Sequence, residues 1–283
     1  MPQAPIIFDR KLLAARRARA AKLGPATFLL DRVAEEMAER LAAVLRKFER
    51  AADVGTPSDA LRRALAGSAS TFADVKTDDE ALPFAPGSLD LIVSGLALQF
   101  VNDLPGTLIQ IRRALKPDGL FLSALIGGES LTELRQAFAA AEAEIEGGVS
   151  PRVAPFADLR DLGALLQRAG FALPVADVDR VVVRYATPLD LMHDLRRMGA
   201  GNVLTERRRT PLRRATLKRM MEIYAERFAG ADGRIAATFE IVWLSGWAPH
   251  ESQQQPLAPG SAKTRLADAL RTEEIPAGEK TGR

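Results

Sequence analysis

Three segments combine polar side chains with turns that follow predicted strands. They run from Asp53 to Ser58 (DVGTPS), from Lys76 to Phe84 (KTDDEALPF) and from Ser94 to Asp103 (SGLALQFVND). In an open parallel sheet, ligands bind outside the carboxyl ends of the strands. If these strands are parallel neighbours, the three segments meet at one edge and form a ligand-binding site.

The first segment has the start of a nucleotide-binding turn but not its continuation. Asp53 ends a predicted strand and Gly55 follows, and glycine lets the backbone approach a ligand closely. Further glycines are missing, and Pro57 removes a backbone donor and fixes φ. An ordinary strand-to-helix turn is the alternative interpretation of this pattern.

The other two segments offer acceptors and apolar surface. Asp78 and Asp79 belong to a run of three acids, and a carboxylate there can accept a hydrogen bond from an exocyclic amine. A solvated acidic loop is the alternative. Leu96, Leu98 and Phe100 follow the central strand and could wall a pocket, although packing at the start of a helix explains them equally well.

Composition excludes several kinds of chemistry. The chain has 283 residues with no cysteine, and its two histidines are His193 and His250. Disulfides, thiolate zinc sites, cysteine nucleophiles and three-histidine metal sites are therefore excluded. We predict no metal site and can assign no catalytic base. The formal net charge of +3 gives no global reason to expect nucleic-acid binding.

The order of elements predicts an α/β fold. Short apolar strands alternate with helices through short links, which indicates parallel βαβ units. We therefore expect a doubly wound, mostly parallel sheet with helices on both faces. The predicted strands cover residues 51–54, 71–75, 88–94, 120–125, 171–185 and 236–245. The predicted helices cover two stretches within 10–48, then 58–65, 104–115, 129–146, 158–169, a helix starting at 187, and 211–228.

Three regions are expected along the chain. Residues 1–50 should form an N-terminal helical lid broken at Gly24-Pro25, because glycine and proline together end helices. Residues 51–249 should form the α/β domain, with extra helices inserted at about 187–229. Residues 250–283 are rich in glutamine, proline, glycine and charge, which is typical of a mostly disordered tail.

Basic residues concentrate in two segments. Six lie within residues 10–22 and seven within residues 207–219. Both segments have an ordinary interpretation as solvated surface, and both could instead contact an acidic partner or anionic lipid headgroups. The first also resembles a transit peptide. Because no aromatic residues are interleaved with the basic run, we expect no specific nucleic-acid partner.

The motifs together resemble a known family. D-x-G, D-x-x-x-L-P-F, S-L-D-L-I-V-S and L-K-P-D-G-L-F occur here in the order seen in class I S-adenosylmethionine-dependent methyltransferases of the type 11 group. Gly127–Arg135 and Trp247–Gln253 make the chain most similar to the complex I assembly factor 5 branch. The malonyl-carrier methyltransferase of the biotin pathway is one of the nearer relatives of that branch within the group.

The resemblance implies a Rossmann-like methyltransferase fold that binds S-adenosylmethionine. Asp53 and Gly55 match the first motif, and Asp78, with Asp79 beside it, matches the acid that would meet the adenine amine. Ser94 and Leu96 match the segment near the methionine moiety. The cofactor-binding candidates are therefore Asp53, Gly55, Asp78, Asp79, Ser94 and Leu96. The implied substrate is a protein, a subunit of complex I. One relative is associated with arginine hydroxylation rather than methylation.

The location expected for the protein follows from the family resemblance and from segments that the sequence lacks. It has no run of about 18 apolar residues and no signal-peptide core. We therefore expect a cytoplasmic protein that makes peripheral contact with the inner membrane through its basic helices.

The first motif departs from the family pattern D-x-G-C-G-x-G. Thr56 replaces the cysteine, while Pro57 and Asp59 replace two glycines. The span from Asp53 to Leu82 is short by one strand–helix unit, so we expect a shortened early βα unit. The acid that would hold the ribose is lost with it, unless Asp74 has taken its place. A second hypothesis follows: a degenerate, non-catalytic assembly factor that binds a partner without cofactor.

Overall fold

The computed structural model describes residues 5–75, 81–254, 261 and 264–273. The chain divides into two compact units, residues 1–249 and residues 250–283. In the described part of the second unit, Leu266–Leu270 form a short helix, α9. The disorder expected for the rest of this tail stays a prediction.

The first unit consists of six strands and eight α-helices in its described part. The strands are β1 Phe48–Val54, β2 Ala69–Val75, β3 Leu89–Gly95, β4 Leu115–Ile126, β5 Ala172–Tyr185 and β6 Ile235–Trp247. The helices are α1 Arg10–Lys22, α2 Phe28–Ala42, α3 Ala60–Ala64, α4 Leu104–Ala114, α5 Thr132–Glu146, α6 Leu159–Arg168, α7 Pro188–Arg197 and α8 Arg214–Phe228.

The strands form one mixed sheet in the order β2-β1-β3-β4-β6-β5. β1 is parallel to β2 and β3, and β3 is parallel to β4, whereas β6 is antiparallel to both β4 and β5. The predicted α/β fold is therefore confirmed, with a parallel half and an antiparallel half. Between β1 and β2 lies only the five-residue helix α3.

Several element boundaries differ from those predicted. β1 begins at Phe48, so the predicted lid boundary at residue 50 falls inside this strand. The turn predicted at residues 117–119 lies within β4 as an irregularity where Asp118 has a φ of +62°. α5 begins at Thr132 rather than Glu129, because Leu131 before it adopts a left-handed φ of +56°.

The core fills both faces of the sheet. α2 presents Val33, Met37 and Leu41 at helical spacing, and these buried side chains pack with residues of β1 and β3. α4 and α6 cover the opposite face. Because both faces are covered, all seven residues of β3 are buried. A third cluster joins α5, α7 and α8 to the antiparallel strands.

The N-terminal segment is tied to the carboxyl-end edge of the sheet. The Asn102 side-chain oxygen accepts hydrogen bonds from the backbone amides of Ile7 and Phe8, each at 2.8 Å. Phe8 also pairs with Leu204 in an antiparallel bridge. The carboxylate of Asp9 then caps α1. These contacts hold α1 near the strand ends.

A candidate ligand-binding site at the strand ends

A cavity of about 740 Å³ opens at the carboxyl ends of β1, β3 and β4. Pro57 and Ser58 follow β1, Leu96 and Gln99 follow β3, and Ile126 ends β4. The volume falls within the range of about 300–1,000 Å³ that is common for small-molecule pockets. The cavity therefore occupies the place where open sheets bind their ligands.

Helices enclose the cavity with an apolar and basic wall. Apolar side chains come from α2, α5, α7 and the segment 153–156; they include Leu29, Leu134, Phe138, Phe156 and Met192. Six arginines complete the wall: Arg16, Arg17, Arg19, Arg152, Arg196 and Arg197. Among the described residues that line the cavity, none is acidic.

Asp53 faces the interior of the sheet rather than the cavity. Its side chain is 4% exposed, and the Thr56 hydroxyl donates a hydrogen bond to its carboxylate. The same hydroxyl oxygen accepts a hydrogen bond of 2.9 Å from the amide of Gly95. Burial raises the pKa of Asp53 to about 7, with the Thr56 bond opposing and the nearby Asp74 charge adding to the rise.

Ser94 is also used inside the protein, whereas Leu96 reaches the cavity. Ser94 is fully buried, and its hydroxyl donates a 2.7 Å hydrogen bond to the carbonyl of Val54. Leu96 has a φ of +50° and donates its amide to the carbonyl of Ala124 at 2.9 Å. This conformation turns its side chain into the cavity wall.

Gly55 connects the end of β1 with the N-terminal helix. It has a φ of +77°, and its amide donates to the carbonyl of Val75 at 2.8 Å. Its carbonyl accepts a hydrogen bond of 3.4 Å from the Arg17 guanidinium. A residue other than glycine would be strained at this φ, which explains a glycine here without any ligand.

The remaining predicted acids do not add to the described site. Asp78 and Asp79 lie outside the described residues. Asp74, the substitute considered for the ribose acid, lies beside Asp53 in the β1–β2 register. Its carboxylate forms an ion pair of 2.7 Å with Arg62. The structure thus brings Asp53, Gly55, Ser94 and Leu96 together, but of these four only Leu96 lines the cavity.

S-adenosylmethionine fits this site in size better than in chemistry. The cavity provides room beside Leu96. However, the carboxylate of Asp53, the hydroxyl of Ser94 and the amide of Gly55 already bond to the protein. The described residues therefore supply few of the polar contacts that would hold the ribose and the methionine moiety.

Two features of the site were not predicted from the sequence. The Gln99 amide nitrogen donates to the carbonyl of Leu96 at 2.9 Å, while its oxygen is buried with no partner in the described part of the protein. The basic segment of α1 is predicted to be solvated surface or a contact surface for a partner or membrane, but Arg16 and Arg17 turn toward the cavity. The scarcity of acids before Asp31 was the available signal.

The second basic segment is largely paired within the protein. Arg207 contacts Asp9 at 3.3 Å, Arg208 contacts Glu146, and Arg219 contacts Glu144 at 2.6 Å. These ion pairs connect α8 and the preceding loop to α1 and α5. The predicted contact of this segment with a membrane or partner stays a prediction.

Metal-ligand clusters and membrane-spanning helices are both absent from the described residues. Within residues 5–75, 81–254, 261 and 264–273, no group of three histidine or acidic side chains is placed to hold a metal ion. Over the same residues, no helix combines the length and the apolar character that crossing a bilayer requires.

Comparison with known proteins identifies the family. Residues 33–123 match the family described as "Methyltransferase domain". The protein named "Arginine-hydroxylase NDUFAF5, mitochondrial" from Danio rerio is 37% identical over 286 residues, covering 93% of this chain and 89% of that protein. The Homo sapiens protein of the same name is 36% identical over 305 residues, covering 99% of this chain and 88% of that protein.

More distant matches agree with this assignment. The malonyl-[acyl-carrier protein] O-methyltransferase of Laribacter hongkongensis (strain HLHK9) is 38% identical over 208 residues, covering 74% of this chain and 66% of that enzyme. The solved structure of YcgJ from Bacillus subtilis gives a TM-score of 0.50 at 13% identity, covering 75% of this chain and 97% of that one, which shows a shared fold. Because it is 36–37% identical to the two NDUFAF5 proteins over more than nine-tenths of its length, the chain belongs to the NDUFAF5 family of methyltransferase-fold proteins.

Proposed function

We propose that this chain acts on a protein substrate during assembly of respiratory complex I and binds S-adenosylmethionine in the cavity at the strand ends. The cavity is the observation that carries the proposal, because it adjoins Leu96 and follows three parallel strands. The family resemblance supports the role in complex I assembly. When bound, the cofactor would supply an activated methyl group.

The residues of the chain would position the ligand and exclude water from such a site. Pro57 and Leu96 present apolar surface at the strand ends, and Gln99 offers its unpartnered oxygen to a ligand N–H or O–H. Arg17 joins α1 to the carbonyl of Gly55, so the lid contacts the first turn directly. Methylation is the modification that this cofactor would support; the hydroxylation named for relatives would need an oxidant in addition.

A second candidate is a non-catalytic assembly factor that binds its protein partner without cofactor. The observation that favours it is the Thr56 hydroxyl, which bonds to both Asp53 and Gly95. This side chain closes the first turn upon the sheet, where the family pattern has small residues that admit a ligand. The fold would then serve as a scaffold.

Calorimetric titration of the full chain with S-adenosylmethionine separates the two candidates. If the cofactor site is intact, we expect micromolar affinity, about 8 kcal/mol of binding free energy. Leu96→Arg should abolish binding because the larger side chain would fill the cavity at the strand ends. Arg160→Ala, a substitution at an exposed position of α6, should leave the affinity unchanged. No heat of binding at millimolar ligand would favour the cofactor-free scaffold.

A genetic test addresses complex I separately. Deletion of the gene in the source organism should reduce assembled complex I, and the wild-type chain should restore it. Failure of Leu96→Arg to rescue would support a role for the cavity, whereas full rescue would support the scaffold. Normal complex I in the deletion strain would refute the assembly role for both candidates.

The proposed location is the cytoplasm, with peripheral contact at the inner membrane through basic side chains such as those of α1. The curated relatives carry "mitochondrial" in their names. Fractionation of cells at low and high salt tests this, because electrostatic membrane contact is screened by salt. Release of the protein from membranes by high salt is the expected result, and retention would contradict it.

A further inference from the structure

Three arginines on the cavity wall between α1 and α7 have no role in the proposed cofactor site. Arg16 and Arg19 belong to α1, and Arg196 belongs to α7. Within the part of the chain that the structure describes, none of their three guanidinium groups forms a hydrogen bond or an ion pair. The other three arginines of the wall do bond to the protein.

Arg16 is held where positive charge accumulates. Burial, followed by repulsion from Arg207, Arg19 and Arg196, lowers the pKa of the Arg16 guanidinium. Asp9 acts in the opposite sense, but its carboxylate is already engaged by Arg207 at 3.3 Å. Arg16 is half-buried, whereas Arg19 and Arg196 are exposed at the cavity mouth. The repulsion on Arg16 is therefore only partly screened by solvent, and a bound anion would offset it.

The backbone of the neighbouring loop is shaped around this guanidinium. A Cβ atom at Gly201 would overlap the Arg16 Nη1 atom, and a Cβ at Gly199 would lie 3.1 Å from the Cα of Arg17. The two glycines therefore let the loop after α7 approach α1 closely. The Arg16 side chain therefore lies against this loop, where no described group satisfies its charge.

The remaining wall narrows the class of ligand. Apolar side chains such as Leu134, Phe138 and Phe156 line the cavity, and no described lining residue is acidic. Such a site suits an apolar body with an anionic head. A phosphate monoester carries about −1.5 to −2 charges at neutral pH and has three acceptor oxygens. It can therefore accept hydrogen bonds from several guanidinium groups at once, whereas a single carboxylate has less charge and fewer acceptor oxygens.

We propose that the cavity binds a phosphate ester of an apolar chain, with the phosphate at Arg16, Arg19 and Arg196 and the chain against the apolar wall. The phosphate position lies between α1 and α7, whereas the proposed cofactor position adjoins Leu96 at the strand ends. The proposal therefore goes beyond the proposed function and does not depend on the binding of S-adenosylmethionine.

Calorimetry of the full chain with soluble amphiphiles tests the proposal. The probes are octyl phosphate below its micellar concentration, inorganic phosphate, and octyltrimethylammonium. We expect octyl phosphate to bind at least about tenfold more tightly than inorganic phosphate, because burying several methylene groups contributes roughly 0.8 kcal/mol each. Binding of the ammonium probe as tight as that of octyl phosphate would overturn the proposal.

Variants of the wall make the test specific. Arg16→Ala and Arg196→Ala should each weaken octyl phosphate binding by about tenfold or more, the usual effect of losing a charged hydrogen bond. Gly201→Ala should also weaken it without changing the charge, because it displaces the Arg16 guanidinium. Arg160→Ala, which removes one exposed charge away from the cavity, is the matched control.

Urea unfolding of each variant establishes that the fold is retained, and Arg16→Lys should restore part of the affinity. Equal affinity of the wild-type chain, Arg16→Ala, Arg196→Ala and Gly201→Ala would refute the site. Sedimentation with vesicles then identifies the source of the phosphate. Arg16-dependent binding to phosphatidic acid but not phosphatidylcholine vesicles indicates a lipid, whereas binding of octyl phosphate alone indicates a soluble phosphate ester.

Discussion

Single side chains at the strand ends decide what this site can bind. The Thr56 hydroxyl donates to Asp53 and accepts from the Gly95 amide, so it joins the ends of β1 and β3. The family pattern places a cysteine at this position, which does not bond so strongly. One substitution therefore converts polar groups available to a ligand into internal contacts.

Asp53 should make stability depend on pH. Its pKa of about 7 in the folded protein lies above its unfolded value, so the folded state binds the proton more tightly. Stability from this group is present at low pH and is lost as pH rises from about 4 to 7, by up to about 1.4 kcal/mol per pH unit. Asp53→Asn, which cannot ionise, should therefore gain stability relative to wild type across this range.

Urea unfolding of both proteins at pH 5, 6 and 7 measures the difference. Thr56→Ser, which keeps the hydroxyl, is the control and should retain the wild-type pH dependence. If the stability difference between Asp53→Asn and wild type is the same at every pH, the pKa of Asp53 is not raised in the folded protein.

A buried ion pair fixes the segment that follows α5. Glu142 is fully buried and accepts hydrogen bonds from the Ser150 amide, at 2.7 Å, and from Arg152. Burial acts to raise the pKa of Glu142, but the Ser150 and Arg152 hydrogen bonds outweigh it and hold the pKa below its usual value. Arg152 lines the cavity, so this pair positions part of the wall.

Glu142→Gln should destabilise the protein by about 3 kcal/mol, because it leaves the Arg152 charge without its partner. Glu144→Gln is the matched control, since Glu144 forms an exposed pair with Arg219 and such pairs contribute little. Urea midpoints of the two variants give the comparison. Similar midpoints for both would contradict a structural role of the buried pair.

At the scale of elements, the attachment of α1 determines whether the cavity is enclosed. The helix carries Arg16, Arg17 and Arg19, and its N-terminal end is held by Asn102 and by the Phe8–Leu204 bridge. The side chains of Phe8 and Phe100 pack edge to face at 5.7 Å between ring centroids. The lid is thus an ordered part of the first unit.

Asn102→Ala should loosen this lid without unfolding the sheet. It removes the acceptor of the Ile7 and Phe8 amides, and each lost hydrogen bond costs about 1 kcal/mol. Amide hydrogen exchange within residues 5–23 should become about tenfold faster or more, with β3 and β4 unchanged. Gln136→Ala, on the exposed face of α5, should alter neither region. Unchanged exchange in the lid of Asn102→Ala would refute this attachment.

For the whole molecule, the compact unit of residues 1–249 accounts for all of the buried clusters described here. Truncation after Pro249 should therefore leave a single cooperative unfolding transition at nearly the wild-type urea midpoint. Circular dichroism during urea titration measures this. A broad transition or a large loss of stability would show that the first unit depends on residues 250–283.

Much of the architecture could be predicted from the sequence because it depends on local patterns. Gly24-Pro25 separates α1 from α2, and the Thr187–Asp190 cap starts α7, in each case through backbone chemistry within a few residues. The apolar run of β3 predicted a strand covered on both faces. The antiparallel direction of β6 could not be read in this way, because strand direction depends on the path of the chain through α7 and α8.

The sequence by itself determined the family, the α/β order of elements and the damage to the first motif, because residue types and their spacing carry that information. The tertiary structure alone decided how the site is lined. It turned Asp53 and Ser94 into internal contacts and brought Arg16 from α1 beside Arg196 from α7. These outcomes depend on packing between segments far apart in the chain, and no local pattern specifies which neighbour a polar side chain will meet.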